Sequence, residues 1–389
     1  MNQSWQVFSP SAFEALDFLP SLGGLLFDGL AKPLVKRFAV HVRPSNSDQD
    51  LDGVLHKERV RKGSPLFVDS QLKKRDREDD LDDHFAEQRQ KTQELKGTNA
   101  PPTFSSLPIE LLDLIFNELN IDDILSLSLI DQYSWSVGRR HIQDFLMSFL
   151  APWAGESIIC VGDRLLAGDY PPGIFAGDRE EESQRVFGRY GEGGFELVNF
   201  RNLPKNVYKR VECEVQLPDI FSHVVCSKKY QYYDMPKSLQ YQVRNVLSPG
   251  LSQFYPEDQP WVLRNLTTKG YVRSEAIALK PEYIHGPDID VLGFGEVILS
   301  RVCWSSRRST STLYEGGLDR GVWAGHRFDI TTLARHEEDT KGEAGWEDIS
   351  KEVADEIADI WGCEYGSDWR QIIVQLQRGF RWGSIILPT

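Results

Sequence analysis

The run LPIELLDLIFNEL, residues 107 to 119, packs leucines more densely than a surface helix needs. Its apolar side chains recur at the three-to-four-residue spacing of a helix, at Leu111, Leu112, Leu114, Ile115, Phe116 and Leu119. This apolar arc is wider than the stripe that one packed helix face requires. The pattern therefore predicts a helix that contacts apolar surface on two sides.

Two further short helices are predicted directly after this one. Pro108 suits the first turn of the first helix, and Glu110 follows where the helix dipole favours an acid. The run IDDILSLSLI offers Asp122 and Asp123 as candidate cap and first-turn acids of a second helix, and residues 133–149 form a third. We expect these helices to make one small module over residues 103–150.

The chain after residue 150 has a mixed pattern. Strand-like stretches, rich in β-branched and aromatic residues and bounded by Gly, Pro or Asp, occupy residues 157–163, 195–200, 208–217, 261–268, 295–304 and 321–331. Residues 346–361 instead have the apolar spacing of an amphipathic helix with an acidic outer face. We predict an α+β fold whose larger domain, residues 151–389, contains a mostly antiparallel sheet.

The first hundred residues are predicted to contribute little to the core. Residues 1–43 are apolar but broken by acids, Pro20 and a Gly pair, which indicates a tail with at most a short helix and no signal peptide. Residues 44–102 carry few aromatic side chains and the charged run KKRDREDDLDD, a composition typical of a disordered linker. Pro101 and Pro102 end that linker, since neither continues a helix.

The net charge argues against two classes of partner, and the cysteine pattern argues against two kinds of structural site. The chain has 44 basic and 58 acidic residues, a net charge of −14, which disfavours nucleic acid and membrane surfaces as partners. Its five cysteines are odd in number and form no C-x-x-C pair, so neither a disulfide framework nor a zinc ribbon is expected. We expect an intracellular protein of the cytoplasm, the nucleus or both.

Candidate chemistry in the larger domain is sparse. His326 with Asp329 and His336 with the acids after it supply donor atoms, but no metal-binding spacing joins them. Strand alternation separates His326 from Asp329, which favours a satisfied half-buried histidine, and HEEDTKGEAG is typical of an exposed polar loop. We find neither a phosphate-binding loop nor a nucleophile elbow, and we expect no metal, cofactor or intrinsic catalytic site.

A pocket on the sheet is the remaining possibility for small-molecule chemistry. Trp304, Trp323, Arg301 and Arg320 could line one, although packing in the core is the more ordinary use of a tryptophan.

The segment LPIELLDLIFNELNIDDILSLSLIDQYSW, residues 107–135, resembles an F-box. The matching positions are Leu107, Pro108, Glu110, Leu111, Leu112, Ile115, Leu119, Asp123, Leu125 and Leu127, and Ile124 takes a common Leu position. The end of the segment departs from the pattern, because Trp135 lies one residue beyond its usual place. The later stretches LRNLTTKGYVRSEAIALKPEYI, GFGEVILSRVCWSS and RGVWAGHRFDITTL look like the C-terminal part of fungal F-box proteins of unassigned function.

The resemblance implies a substrate receptor of an SCF-type cullin ubiquitin ligase. The chain would dock a Skp-type adaptor, and through it a cullin, while the larger domain recognises an unidentified protein substrate. The expected adaptor-binding residues are Leu107, Pro108, Leu111, Leu112, Ile115, Phe116, Leu119, Ile124, Leu125 and Leu127. Catalysis would then belong to the partner complex and not to this chain.

Three alternatives stay open beside this interpretation. A stand-alone enzyme is one, and it would require a pocket with converging acids, bases or metal ligands, which the spacing does not supply. The chain could bind the adaptor without ubiquitin transfer, with a structural or small-molecule-binding role in its larger domain, or the leucine-rich helices could pack only inside their own domain. Four buried Leu or Ile side chains contribute about 6 to 12 kcal/mol gross, whereas association costs about 4 to 15 kcal/mol. One helix face is therefore too small for a stable complex, and we expect the second helix to contribute through Ile124, Leu125 and Leu127.

Overall fold

A computed structural model of the chain describes residues 3–16, 21–44, 104, 107–166, 169–172, 174, 188–191, 194–197, 209–227, 232–233, 237–308 and 312–383. The helices over these residues are α1 (Leu22–Phe27), α2 (Val35–Phe38), α3 (Ile109–Asn117), α4 (Ile121–Ser128), α5 (Gln132–Met147), α6 (Ile220–Ser227), α7 (Lys237–Leu247), α8 (Ser274–Ile277), α9 (Phe294–Val302), α10 (Leu333–Asp339), α11 (Ser350–Tyr365) and α12 (Trp369–Gly383). Short 3₁₀ turns lie at Lys32–Leu34, Leu251–Phe254 and Pro281–Tyr283.

The strands over the same residues are β1 (Trp5–Ser9), β2 (Glu14–Leu16), β3 (Ile159–Gly162), β4 (Gly188–Gly191), β5 (Gly194–Leu197), β6 (Lys209–Val211), β7 (Trp261–Asn265), β8 (Gly270–Arg273), β9 (Ile284–His285), β10 (Asp288–Ile289), β11 (Cys303–Trp304), β12 (Phe328–Thr332) and β13 (Glu347–Asp348). Six of the nine pairings between these described strands are antiparallel. The α+β class is confirmed.

The first of two compact units is assembled from three separate stretches, residues 1–43, 147–218 and 250–389. It contains a five-stranded sheet in the order β11-β3-β1-β2-β6 and a four-stranded sheet in the order β12-β7-β8-β13. In the first sheet β1 pairs antiparallel with both β2 and β3, and Val7 lies opposite Cys160. A large apolar core, which includes Trp5, Trp261 and Trp361, joins residues from all three stretches.

The prediction that residues 1–43 form a tail is wrong. Strand β1 is buried along its whole length and lies at the centre of the five-stranded sheet. Helix α1 buries Leu22, Leu25 and Leu26, and Phe38 of α2 is fully buried. The local pattern could not indicate this, because β3, the main partner of β1, lies about 150 residues further along the chain.

Residues 295–304, predicted as a strand, are also corrected. They form helix α9 followed by the two residues of β11. All nine residues of α9 are buried, among them the polar Glu296, Ser300 and Arg301. A short run that is buried throughout lacks a polar outer face, so its pattern cannot be told from that of a buried strand. The start of α9 is set by Glu296, whose Oε2 accepts the Gly293 N–H at 2.9 Å.

The other predicted strands and the late helix of this unit are confirmed with shorter or shifted bounds. Strands β3, β5, β6, β7 and β12 fall in or across the predicted stretches, although residues 198–200 lie outside the described part of the chain. The late amphipathic helix is α11, which buries Val353, Ile357 and Ile360 on its apolar face.

The second compact unit combines residues 44–146 with residues 219–249. Its described elements are helices α3, α4, α5, α6 and α7, so it is helical where the structure describes it. The predicted boundary near residue 150 therefore needs a correction, because residues 219–249 belong with the three-helix module and not with the larger domain. The predicted linker, residues 44–102, lies outside the described residues apart from Pro44.

Candidate functional site

The three helices of the F-box-like segment begin at clear local signals. Pro108 stands at the N-cap of α3 with extended backbone angles, φ −55° and ψ 146°, one residue earlier than a first-turn position. Asn120 caps α4, since its Oδ1 accepts the Asp123 N–H at 3.0 Å. Asp122 and Asp123 are thus first-turn acids, while the cap itself is Asn120. In the same way, Asp131 Oδ1 accepts the Ser134 N–H at 2.7 Å at the start of α5.

Helix α3 presents apolar side chains on two sides, as its wide apolar arc predicts. Leu112 and Phe116 are fully buried, and the Phe116 ring stacks on the His141 ring of α5 with centroids 5.2 Å apart. On the other side Leu111 is 46% exposed and Leu114 is 62% exposed. The helix is therefore held in its unit by one side and has free apolar surface on the other.

The free surface forms one continuous row. Leu111 lies three residues after Pro108, and Leu114 and Ile115 lie three and four residues after Leu111, which places all four on one face of the helix. All four are exposed, and we call them the exposed stripe. Leu114, absent from the residues predicted to bind the adaptor, is the most exposed leucine or isoleucine of the four.

The buried side of α3 is fixed to α5 by a carboxylate. Asp113 Oδ1 accepts a hydrogen bond from Arg140 and lies 3.1 Å from His141 Nε2. Burial of the Asp113 carboxyl raises its pKa, but the hydrogen bonds from Arg140 and His141 outweigh burial and leave the pKa below its usual value. The ionised carboxylate therefore ties α3 to two residues on successive positions of α5.

Helices α4 and α5 cross at very short range. A Cβ added at Gly138 of α5 would lie 1.8 Å from Ser128 Oγ and 3.0 Å from Phe116 Cε1. Ser128 Oγ is itself engaged, since it donates to the Ile124 carbonyl at 2.5 Å. The glycine lets three helices meet around Phe116.

The predicted adaptor-binding set needs a correction. Leu112, Phe116, Ile124 and Leu125 are buried, the last two with 7% and 1% exposure, so a partner could not reach them without rearranging the helices. Leu107, Leu119 and Leu127 are partly exposed. Periodicity cannot tell which side of a doubly apolar helix faces its own core, and that is why the set mixes both sides.

His326 and His336, the two histidines with candidate chemistry, are both at least partly buried. His326 Nδ1 lies 3.0 Å from Asn265 Nδ2, and burial lowers the pKa of this half-buried ring. The prediction of a satisfied half-buried histidine is confirmed. Asp329 is 2.7 Å from Arg264 through both carboxylate oxygens and is thus paired elsewhere.

His336 corrects a second prediction. It lies on helix α10, buried against the rings of Tyr271 and Trp346 at 4.6 and 5.0 Å, and not in an exposed loop. Desolvation, followed by the nearby Arg264 charge, lowers its pKa. Within the described ranges no group of three or more His, Cys, Asp and Glu side chains could hold a metal ion.

The tryptophan and arginine residues that could line a pocket are paired with one another. Arg301 lies over the Trp323 ring and Arg320 over the Trp304 ring, each at 4.5 Å from the ring centroid. Arg301 also binds Glu356 and Glu352, at 2.5 and 2.6 Å, and Arg320 binds Asp169 at 2.6 Å. Both guanidinium charges are therefore paired with carboxylates of the same unit.

Comparison of the whole chain with models of protein families, with curated proteins and with solved structures finds no match. Among the described residues no helix is both long and apolar enough to cross a lipid bilayer. The exposed stripe on α3 is therefore the feature on which a functional proposal can rest.

Proposed function

We propose that this chain is a substrate receptor of an SCF-type cullin ubiquitin ligase. It docks a Skp-type adaptor through the exposed stripe of α3 and through the adjoining part of α4. The chain supplies docking and target recognition, and the partner complex supplies the chemistry. The target is a protein.

The observation that carries the proposal is the exposure of Leu111 and Leu114 inside an ordered F-box-like segment. An amphipathic surface helix buries its apolar stripe and exposes polar residues, whereas α3 exposes leucines beside Pro108. Exposed apolar residues that are contiguous mark interaction surfaces, while single ones are ordinary. Pro108, Leu111 and Ile115 are among the residues that the resemblance assigns to adaptor binding. Leu114 is added to them because it is exposed on the same face.

The free energy gained by burying the exposed stripe alone is too small for a stable complex. Leu111, Leu114 and Ile115 are already about half covered, so a partner gains about 2 to 4 kcal/mol from burying the rest of them. Association costs about 4 to 15 kcal/mol, and a stable interface covers roughly 800 Å² on each partner. Leu127, which is partly exposed, and Ile130, which is 55% exposed after the end of α4, are the nearest additional apolar contributions in the chain sequence.

Co-purification of the full chain with a co-expressed Skp-type adaptor tests the proposal. The full chain is required because residues 1–43 belong to the core of the first unit. We expect a one-to-one complex for the native chain and its loss in a Leu111→Asp, Leu114→Asp variant. Leu166→Asp is the matched control, since Leu166 and Leu114 are 63% and 62% exposed.

Circular dichroism of each variant establishes that it is folded. A native chain that is folded yet leaves the adaptor unbound would overturn the proposal, as would a stripe variant that binds normally. Addition of a cullin to the purified pair then separates a ligase receptor from an adaptor-bound protein without ubiquitin transfer.

A further inference from the structure

The stretch that contains helices α6 and α7 carries a net charge opposite to that of the whole chain. Residues 219–249 contain four lysines and arginines against two aspartates, a net charge of +2, whereas the whole chain has −14. This stretch belongs to the same compact unit as the F-box-like helices. Within that unit His223 Nδ1 of α6 lies 3.3 Å from Asp122 Oδ1 of α4.

The two helices are joined by aromatic packing. The rings of Phe221 and Tyr232 meet edge to face with centroids 5.5 Å apart, and Val243 and Leu247 of α7 are fully buried. Tyr232 Oη donates to the Gln240 carbonyl at 3.3 Å. The pair therefore has a defined inner side.

Four of the exposed residues are cationic or aromatic. Lys237, Tyr241 and Arg244 are exposed and lie at intervals of four and three residues, on one face of α7. Tyr233 is exposed too, and its carbonyl accepts a hydrogen bond from Gln240 Nε2 at 3.2 Å, next to Tyr241. We call Tyr233, Lys237, Tyr241 and Arg244 the basic tyrosine face.

The charges of this face are unused in the part of the chain that the structure describes. Neither Lys237 nor Arg244 has a described carboxylate within 4.0 Å. The Arg244 guanidinium lies 5.5 Å from the Phe221 ring centroid, which orients it without neutralising its charge. Tyr241 and Tyr233 are 67% and 58% exposed beside these cations.

We propose that the basic tyrosine face binds an acidic segment of a protein, and this inference rests on the proposed function in taking that segment as part of the ligase target. Two unpaired cations on a strongly acidic chain select a negatively charged partner. Exposed tyrosine and arginine residues are the side chains enriched at protein interfaces, where they add contact area at low entropic cost. An extended peptide with alternating acidic and apolar residues matches both features.

A pair of fluorescent peptides tests the proposal on the full chain. The acidic peptide has 14 residues that alternate Glu with Leu or Tyr, and the control peptide carries Gln in place of every Glu. We expect fluorescence anisotropy to detect binding of the acidic peptide and much weaker binding of the control. Binding should weaken as NaCl rises, because salt screens exposed charges.

Charge reversal locates the binding. We expect the variant Lys237→Glu, Arg244→Glu to weaken binding by about tenfold, as two exposed charge pairs become repulsive. The matched control is Lys341→Glu, Lys351→Glu, which makes the same change of charge at two exposed lysines of the other unit and should bind normally. Tyr241→Ala should also weaken binding without changing the charge.

Adaptor co-purification measured on the same variants separates the two proposals. If the adaptor binds normally but the chain shows no preference for the acidic peptide, the peptide site is overturned and the proposed function stands. The same conclusion follows if the Lys237→Glu, Arg244→Glu variant binds the acidic peptide as well as the Lys341→Glu, Lys351→Glu variant does. If the native chain does not bind the adaptor but its peptide binding still depends on the basic tyrosine face, the proposed function is overturned and the peptide site stands. Displacement of the peptide by a single-stranded oligonucleotide at equal concentration would assign the face to nucleic acid and overturn the proposal.

Discussion

Replacing Gly138 by alanine is the sharpest test of how the F-box-like helices are held together. In a helix interior this change ordinarily stabilises by about 1 kcal/mol, because glycine has more conformational freedom to lose. Here the new Cβ would lie 1.8 Å from Ser128 Oγ and 2.7 Å from Ser128 Cβ. Rotation of the hydroxyl could relieve the first contact, but only separation of α4 from α5 could relieve the second.

The expected cost follows from these contacts. Overpacking costs about 1 to 3 kcal/mol, and loss of the buried hydrogen bond from Ser128 to Ile124 costs about 1 kcal/mol more. After the helix-propensity gain is subtracted, we expect Gly138→Ala to destabilise the helices by about 1 to 3 kcal/mol. Adding Ser128→Ala removes the closest contact and should restore part of this loss.

Hydrogen exchange followed by mass spectrometry measures the effect locally, in peptides covering residues 132–147. The matched control is Gly362→Ala in α11, where the new Cβ would meet only Trp369 Cδ1 at 3.8 Å and should stabilise the helix. Gly138→Ala should speed exchange in α5 and lower adaptor binding without touching the exposed stripe. Exchange that is unchanged or slower in Gly138→Ala would refute the packing described here.

Three further predictions concern the first unit. Arg264→Met should lower the free energy of unfolding by about 3 to 5 kcal/mol, because it leaves buried Asp329 unpaired. The exposed Arg273→Met is its control, with an expected loss under about 1 kcal/mol, and similar urea midpoints for the two would contradict the pairing. Burial raises the pKa of Glu296 to about 7, above its unfolded value, so the folded chain holds this proton more tightly. The contribution of Glu296 to stability should therefore be full below about pH 4 and be lost as the pH rises through 7. The melting temperature of Glu296→Gln should fall less than that of the native chain between about pH 4 and 7, and parallel curves against pH would be the opposite result. Cys226 and Cys363 are exposed and should react with a thiol reagent within minutes. Buried Cys160 and Cys303 should react only after denaturation, and burial also raises the pKa of the Cys303 thiol. Fast labelling of Cys303 in the native chain would show that the sheet opens.

The helices of the F-box-like segment could be predicted from the sequence because their signals are local. Pro108, the acids near residue 122 and the leucine spacing all lie within a few residues of the helix ends that they mark. The sidedness of α3 could not be predicted, since Leu111 and Leu112 are adjacent leucines of which one is exposed and one is buried. Only the position of α5 decides between them.

The errors elsewhere share one physical cause, which is dependence on distant partners. Strand β1 is defined by pairing with β3, and α9 has no exposed polar face to mark it as a helix because it is buried all round. Likewise, the site of residues 219–249 depends on packing with helices that precede them by about 70 residues or more. The basic tyrosine face was missed for the same reason, although the local excess of lysine and arginine was a readable signal.

The central position of β1 affects how the chain is made in the cell. Residues 5–9 leave the ribosome before their partner strand, residues 159–162, which is synthesised about 150 residues later. At about 5 to 20 residues per second, Trp5, Val7 and Phe8 wait roughly 8 to 30 seconds without the sheet that buries them. We expect such a nascent chain to need a chaperone. Truncation of the chain or stalled translation before residue 159 should yield an aggregated product and not a smaller folded protein.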